Sequence, residues 1–157
     1  MGSWVLAAAL AFGPPYQWHG TAVLPSPQLT PGAIDSSLTK EILCDPSFHT
    51  ATVRSVSLST KKAVCAEYKQ ANGCPGKAYE IDHLISLELG GSDDPSNLWP
   101  QPADTAEVIG FHTKDVVENR AHAAVCSGKI TLEEAQEGIA SDWYQFAIDN
   151  EFLKDSK

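Results

Sequence analysis

The chain has 157 residues, of which 43% are hydrophobic and 20% charged, and its formal net charge is −9. This length suits one globular domain with a real core and is too short for two ordinary domains. The acidic balance excludes a surface that binds phosphate everywhere through lysine and arginine. Residues 48–78, however, carry 5 basic residues against 1 acid, or +4, whereas residues 79–157 carry 5 against 16, or −11. We therefore expect any path for nucleic acid along residues 48–78.

Residues 1–30 are interpreted as a signal-like leader followed by a proline-rich linker. The apolar run at residues 4–12 is too short to span a bilayer and suits the apolar part of a secretory signal, although the first basic residue is Lys40. The sequence therefore predicts no membrane span and export to the periplasm or the medium. The alternative is a cytoplasmic protein with a disordered tail. Residues 31–150 are predicted to form a single domain.

The four cysteines contain no C-x-x-C pair, so a structural zinc site of the usual spacing is not expected. An even number of cysteines in a small exported domain favours disulfides, and three connectivities are open. We prefer Cys44–Cys126 with Cys65–Cys74, because the second pair closes a short loop around Gly73. The alternative is four reduced thiols in a cytosolic protein.

The predicted elements give an α+β fold with an N-terminal strand. In chain order they are a strand at 50–58, a helix at 60–70 capped by Ser59 or Thr60, a strand at 78–86, a long turn-rich connection with a return through 97–100, a helix at 104–126 and a last helix from Thr131. Glu134 lies three residues after Thr131, which predicts a capping box. Asp93 and Asp94 are interpreted as turn residues.

The helix predicted at 104–126 has apolar or small residues at Ile109, Val116, Ala123 and Cys126, spaced seven, seven and three apart. This spacing predicts one buried face. His112 falls on the same face and is expected to point inward.

Four polar residues suggest phosphodiester hydrolysis, which needs an activated water and a cation near the phosphate oxygens. Asp82 is a candidate metal ligand, and the neighbouring His83 is a candidate base, since imidazole exchanges protons near neutral pH. Asn97 is predicted to fix the loop or the imidazole by hydrogen bonds. His112, on the following helix, is the candidate second metal ligand.

The run IDHLISLELGG at residues 81–91, followed by NLWPQP at 97–102, resembles the HNH (ββα-metal, His-Me finger) endonuclease superfamily. It closely resembles a group of small bacterial and phage proteins with a DHL-x-x-LELGG…NLWP signature, and the likeness covers roughly residues 30–145. The resemblance implies a ββα-metal finger at residues 78–126, with Asp82 as metal ligand, His83 as general base and Asn97 as the structural asparagine.

The last metal ligand is where the chain departs from the family, because the position about nine residues after the asparagine is Ala106, which cannot coordinate. His112, or Asp115 three residues later, is expected to take that place. The resemblance implies one divalent ion, with Mg²⁺ as first choice and Mn²⁺, Ni²⁺ or Zn²⁺ as alternatives, and a nucleic-acid partner, with DNA favoured. The competing hypothesis is a catalytically inactive binding or cell-envelope module braced by disulfides.

Overall fold

The computed structural model describes residues 15–70 and 73–154. These residues form an α+β fold with four helices and two small antiparallel sheets. The elements in chain order are β1 (Gln17–His19), β2 (Ala22–Leu24), α1 (Lys40–Leu43), α2 (Leu58–Glu67), β3 (Tyr79–His83), β4 (Leu98–Pro102), α3 (Phe111–Cys126) and α4 (Leu132–Asp149), with short 3₁₀ turns at Thr50–Thr52, Leu87–Leu89 and Pro95–Asn97. Strands β1 and β2 form one sheet, and β3 and β4 form the other.

The segment predicted as a proline-rich linker is folded from residue 16 onward, which corrects the linker prediction for residues 16–30. Strands β1 and β2 form a hairpin with Gly20 at φ 61° in its two-residue turn, a conformation that glycine adopts at little cost. Val23 is fully buried, and its carbonyl accepts from the Trp143 indole at 3.0 Å. The leader prediction for residues 1–14 lies outside the described residues.

The prediction of a strand at residues 50–58 is wrong. Thr50–Thr52 form a 3₁₀ turn, and α2 already begins at Leu58. The alternation of Val53 and Val56 with polar residues does not lead to a sheet here, since those two side chains are only half-buried. The helix predicted at 60–70 is present as α2, but its cap is Ser57, whose side chain accepts from the Thr60 amide.

Strands β3 and β4 pair in antiparallel register, with Asp82 opposite Trp99 and His83 opposite Leu98. The chain between them makes two 3₁₀ turns, and α3 follows after β4. This α3 is shorter than predicted because Asp104 lies in the preceding loop. Its carboxylate accepts from the Gly110 and Thr113 amides and so caps the first turn.

The core lies where α3 and α4 pack on each other and on both hairpins. Its largest fully buried side chains include Trp99 of β4 and Trp143 of α4. The predicted start of α4 is confirmed, because Thr131 accepts from the Glu134 amide while the Glu134 carboxylate accepts from the Thr131 amide. Within the described part of the chain, no helix has the length and apolar character needed to cross a membrane.

Two disulfides link the four cysteines, and they are the preferred pairs, Cys44–Cys126 and Cys65–Cys74. The first ties the end of α1 to the end of α3, and the second closes a loop between α2 and β3. Disulfides persist in oxidising compartments, so the pair favours an extracellular or otherwise oxidising environment.

Candidate active site

His83 is the last residue of β3 and is 8% exposed. Its Nε2 lies 2.8 Å from Asp93 Oδ1, and the other Asp93 oxygen accepts from the Ser55 amide at 2.6 Å. A carboxylate only accepts hydrogen bonds, so the neutral imidazole carries its proton on Nε2. Nδ1 is then the ring nitrogen with a lone pair for a proton from water. Asp93, which sequence reasoning interpreted as a turn residue, thus fixes the tautomer of the candidate base.

Asn97 is fully buried and takes the first of its two predicted roles, fixing the loop. Its Oδ1 accepts from the Ile85 amide at 3.0 Å and the Ala33 amide at 3.3 Å. Its Nδ2 donates to the Ile85 carbonyl at 3.0 Å and the Ser92 carbonyl at 2.9 Å. Four bonds satisfy the amide and hold together the chain on both sides of His83 and Asp93. Asn97 is therefore a positioning residue.

The Gly90–Gly91 pair of the signature has a steric explanation in this loop. Gly90 ends the Leu87–Leu89 turn with φ 79°, a left-handed conformation that suits glycine. At position 91 a Cβ would lie 1.8 Å from the Ile85 carbonyl oxygen, closer than any real contact. Because Asn97 bonds to that same carbonyl, a side chain at 91 would displace the loop that carries Asp93.

Asp82 lies beside a buried lysine that sequence reasoning missed. Lys114 is 0% exposed, and its Nζ donates to Asp82 Oδ2 at 3.0 Å and to the His83 carbonyl at 2.8 Å. The third acceptor is the Glu118 carboxylate, one helical turn further along α3. The three protons of the ammonium are therefore all used. Lys114 ties α3 to the strand end that carries both candidate catalytic side chains.

Burial is the largest single influence on the pKa of Lys114 and on the pKa of Glu118. Burial lowers the pKa of Lys114, but the attraction of Asp82 and Glu118 and the hydrogen bonds to both outweigh it, so the pKa is raised overall. Burial raises the pKa of Glu118, against the opposing attraction of Lys114. The ammonium is thus held charged between two carboxylates, of which Glu118 takes up a proton more readily than an exposed glutamate.

His112 does not lie on the buried face of α3, so the prediction that it points inward is wrong. The buried residues of the helix are Phe111, Lys114, Val117, Glu118, Ala121, Ala124 and Val125. The observed buried face is rotated from the predicted face by about one residue, which is roughly 100° around the helix axis. His112 is exposed in the first turn of α3, with its ring 4.3 Å from the Phe111 ring.

Carboxylates gather around Asp82 on the exposed side of β3 and α3. The pKa of Glu80 is raised by burial and then by the negative charges of Asp82 and Asp115. Burial and the Asp82 charge also raise the pKa of Asp115, whereas His112 lowers it. A divalent cation near Asp82 would relieve this repulsion, although these side chains do not form a group of three ligand atoms within 4.8 Å of one another among the described residues. Asp82 also retains one oxygen, Oδ1, beyond its bond to Lys114.

A second group of metal-ligating side chains lies at the other end of α3. One ligand atom each of Cys44, His122 and Cys126 lies within 4.8 Å of the others, a spacing that could hold a metal ion. The two sulfurs are bonded to each other, and a disulfide offers no thiolate. His122 Nε2 lies 3.0 Å from the Leu43 carbonyl oxygen. Metal binding there would require prior reduction, so this group is a structural brace in the oxidised protein.

The structure thus brings Asp82, His83 and Asn97 to one hairpin, and it places His112 outside the buried face of the adjacent helix. No protein-family model, no curated protein and no solved structure matches the chain.

Proposed function

We propose that the protein is a metal-dependent endonuclease of the HNH type, in which β3, β4 and α3 form the ββα-metal finger. The observation that carries the proposal is the part-buried His83–Asp93 pair at the end of β3, where Asp82 is the preceding residue of the strand. An imidazole of fixed tautomer on the same strand end as a candidate metal-ligand carboxylate suits hydrolysis of a phosphodiester bond. The substrate is a nucleic acid, and DNA is the favoured one.

In the proposed mechanism, His83 Nδ1 accepts a proton from the attacking water, and the water oxygen forms a bond to phosphorus as the bond to the 3′ oxygen breaks. Asp93 stabilises the imidazolium that results, because its carboxylate bonds to Nε2 at 2.8 Å. Asp82 with His112 or Asp115 would hold the divalent ion, whose chemistry is to neutralise charge on the phosphate and the departing oxygen. Mg²⁺ is the first choice, and Mn²⁺, Ni²⁺ and Zn²⁺ are alternatives.

Lys114 supports this chemistry without touching the substrate. Its bond to the His83 carbonyl fixes the backbone of the base, and its bond to Asp82 Oδ2 fixes one oxygen of the metal ligand. Positioning of this kind lowers the barrier because reacting groups need not be ordered at the moment of reaction. With two disulfides, the oxidising setting fits a secreted or periplasmic nuclease.

One observation favours the alternative, an inactive binding or envelope module. Lys114 already neutralises Asp82, and a buried ammonium so close to the metal position opposes a second cation. In that case the polar network around Asn97 and the two disulfides would serve only to hold a rigid scaffold.

Metal titration separates the two functions. Calorimetry with Mn²⁺ on the wild type and on Asp82→Asn, with Asp149→Asn on the exposed surface of α4 as charge-matched control, measures the contribution of the Asp82 carboxylate. We expect one ion to bind to the wild type and the control and none to Asp82→Asn. Cleavage of plasmid DNA with Mg²⁺, Mn²⁺, Ni²⁺ or Zn²⁺ should likewise occur with the wild type and the control and be lost in Asp82→Asn. Plasmid and single-stranded DNA that both stay intact with every metal would refute the nuclease and favour the scaffold.

A further inference from the structure

A groove of about 830 Å³ lies between α2 and β3, beside the first turn of α3. Its apolar surface includes Leu58, Ile81 and the Cys65–Cys74 disulfide. Leu58 is 68% exposed, which is unusual for a leucine at the edge of a cleft. Exposed apolar surface inside a concave site is typical of ligand binding.

Three lysines give this groove a positive charge in an acidic protein. Lys61 and Lys62 of α2 and Lys77 before β3 contribute to its lining, and Glu80 is the one acidic residue among the described residues that line it. Those lining residues therefore carry a net charge of +2 (three lysines and one glutamate), although the chain as a whole carries −9. A cationic groove in an otherwise anionic surface concentrates a polyanion at that place.

The groove leads to the proposed catalytic residues. Glu80 and Ile81 line the groove, and Asp82 and His83 follow on the same strand. At about 3.3 Å per residue, they lie roughly 7 and 10 Å beyond Glu80. The exposed imidazole of His112 lines it from α3. A chain lying in the groove would thus reach Asp82 without a turn.

We infer that this groove binds a single-stranded segment of nucleic acid next to the bond to be cut, an inference that rests on the proposed nuclease function. Lys61, Lys62 and Lys77 pair with phosphates, while the apolar floor contacts the bases. Single-strand sites combine these two features, a basic groove and surfaces on which bases stack. A duplex keeps its bases stacked inside and offers the apolar floor only phosphate and sugar.

The test is binding of a short fluorescein-labelled oligothymidylate, measured by anisotropy in EDTA over a range of salt concentrations. The test variant is Lys61→Gln/Lys62→Gln/Lys77→Gln. Its control is Lys40→Gln/Lys129→Gln/Lys154→Gln, which removes the same charge elsewhere. We expect the test variant to bind at least tenfold more weakly and the control to bind like the wild type. The slope of log K against log salt should fall by about two, since each phosphate contact contributes about 0.7 for single strands.

A second pair of variants tests the apolar floor. Leu58→Glu places a negative charge in the groove, and Ile148→Glu places one at an exposed apolar residue of α4. Weaker binding by Leu58→Glu alone supports the inference. Unchanged affinity and salt slope in the triple-lysine test variant would overturn the inference. An equal loss of affinity in a test variant and its control would also overturn it, for the lysine variants or for the glutamate variants. A duplex bound as tightly as the single strand would overturn it as well.

Failure of this inference is distinct from failure of the proposed function. Binding that depends on the three lysines without cleavage in any metal would leave the groove assigned and refute the nuclease. Cleavage with unchanged kcat/KM in the triple-lysine variant would support the nuclease and refute the groove assignment.

Discussion

Residues 111–118 of α3 bury a lysine and a glutamate against the β3–β4 hairpin, whereas residues 119–126 bury alanine and valine and end in a disulfide to α1. The first half depends on an ammonium shared by Asp82, Glu118 and a backbone carbonyl. Such ionic burial gains little stability over a well-packed apolar contact, and it becomes costly when one partner is removed. The second half follows the ordinary rules of a small disulfide-bonded domain, with an apolar buried face and a covalent brace. The difference shows that the two halves of α3 are held by different interactions, ion pairs beside the candidate site in the first and apolar packing with a disulfide in the second.

Removing the Cys44–Cys126 bridge should have the largest effect on stability and leave the chemistry intact. The sequence separations of 82 and 9 residues for the two bridges correspond to about 4.5 and about 2.6 kcal/mol of loop-closure entropy. We therefore expect Cys44→Ala/Cys126→Ala to lose more unfolding free energy in urea than Cys65→Ala/Cys74→Ala. Cleavage by the remaining folded protein should match the wild type, because Cys126 lies about 18 Å along the helix from Lys114. An equal loss for both pairs would contradict the comparison.

Lys114→Met should lower the unfolding free energy on the order of 4 kcal/mol, because it leaves the buried Glu118 and the part-buried Asp82 without their cation. Lys129→Met, at an exposed position, is the control and should change little. Urea unfolding at neutral and acidic pH measures the effect, which should shrink in acid, because burial raises the pKa of Glu118 and its protonation removes one unpaired charge. A Lys114→Met protein as stable as the wild type at neutral pH would show that the first half of α3 does not depend on the ion pairs.

Asp93→Asn should slow cleavage by about 10- to 100-fold, the usual effect of removing a partner that orients a catalytic group. An amide can donate as well as accept, so it no longer dictates which nitrogen of His83 carries the proton. Asp94→Asn, at the next residue, is the matched control, since Asp94 accepts from Ser96 instead. Single-turnover rates of both variants measure the effect. Equal rates in the two would remove Asp93 from the mechanism.

Glu88→Gln should give the smallest effect, a gain in stability that depends on pH. Burial raises the pKa of Glu88; the charge of His122 lowers it by a smaller amount, and the charge of Asp115 raises it further. A glutamate of raised pKa favours the folded state fully only below its ordinary value of about 4.5, and this contribution is lost as the pH rises through the folded-state value. Melting temperatures of the variant should therefore exceed the wild type's at neutral pH and converge below pH 4 or thereabouts. A constant difference at every pH would contradict this reasoning.

Parts of this fold could be predicted because the residues that define them are close in sequence. The capping box of α4 needs only Thr131 and Glu134, and the hairpin signature carries its own glycines and asparagine. The β1–β2 hairpin was missed because the surrounding prolines suggested a linker. What buries Val23 is a contact with Trp143, 120 residues later.

The site was harder to predict than the fold. Asp82 and His83 were predicted as site residues from their residue types and from the DHL-x-x-LELGG…NLWP signature, and that prediction stays a prediction. Lys114 was missed because the predicted face of α3 was wrong by one residue. Its burial depends on acceptors 31 and 32 residues earlier in the chain. Asp93 was missed because an Asp-Asp-Pro run is usually a turn. The sequence offered one signal for this contact. Asp93 lies ten residues after His83, in a loop that Asn97 folds back toward the strand.

The most direct measurement of the central claim is the rate of plasmid cleavage by His83→Ala in the metal that supports activity, with His122→Ala as control. Removing a general base should slow cleavage by about 10²- to 10⁴-fold. His122 lies at the disulfide-bonded end of α3 and bonds to the Leu43 carbonyl, so its variant should cut like the wild type once folded. If His83→Ala cuts as fast as the wild type, the proposed mechanism is wrong.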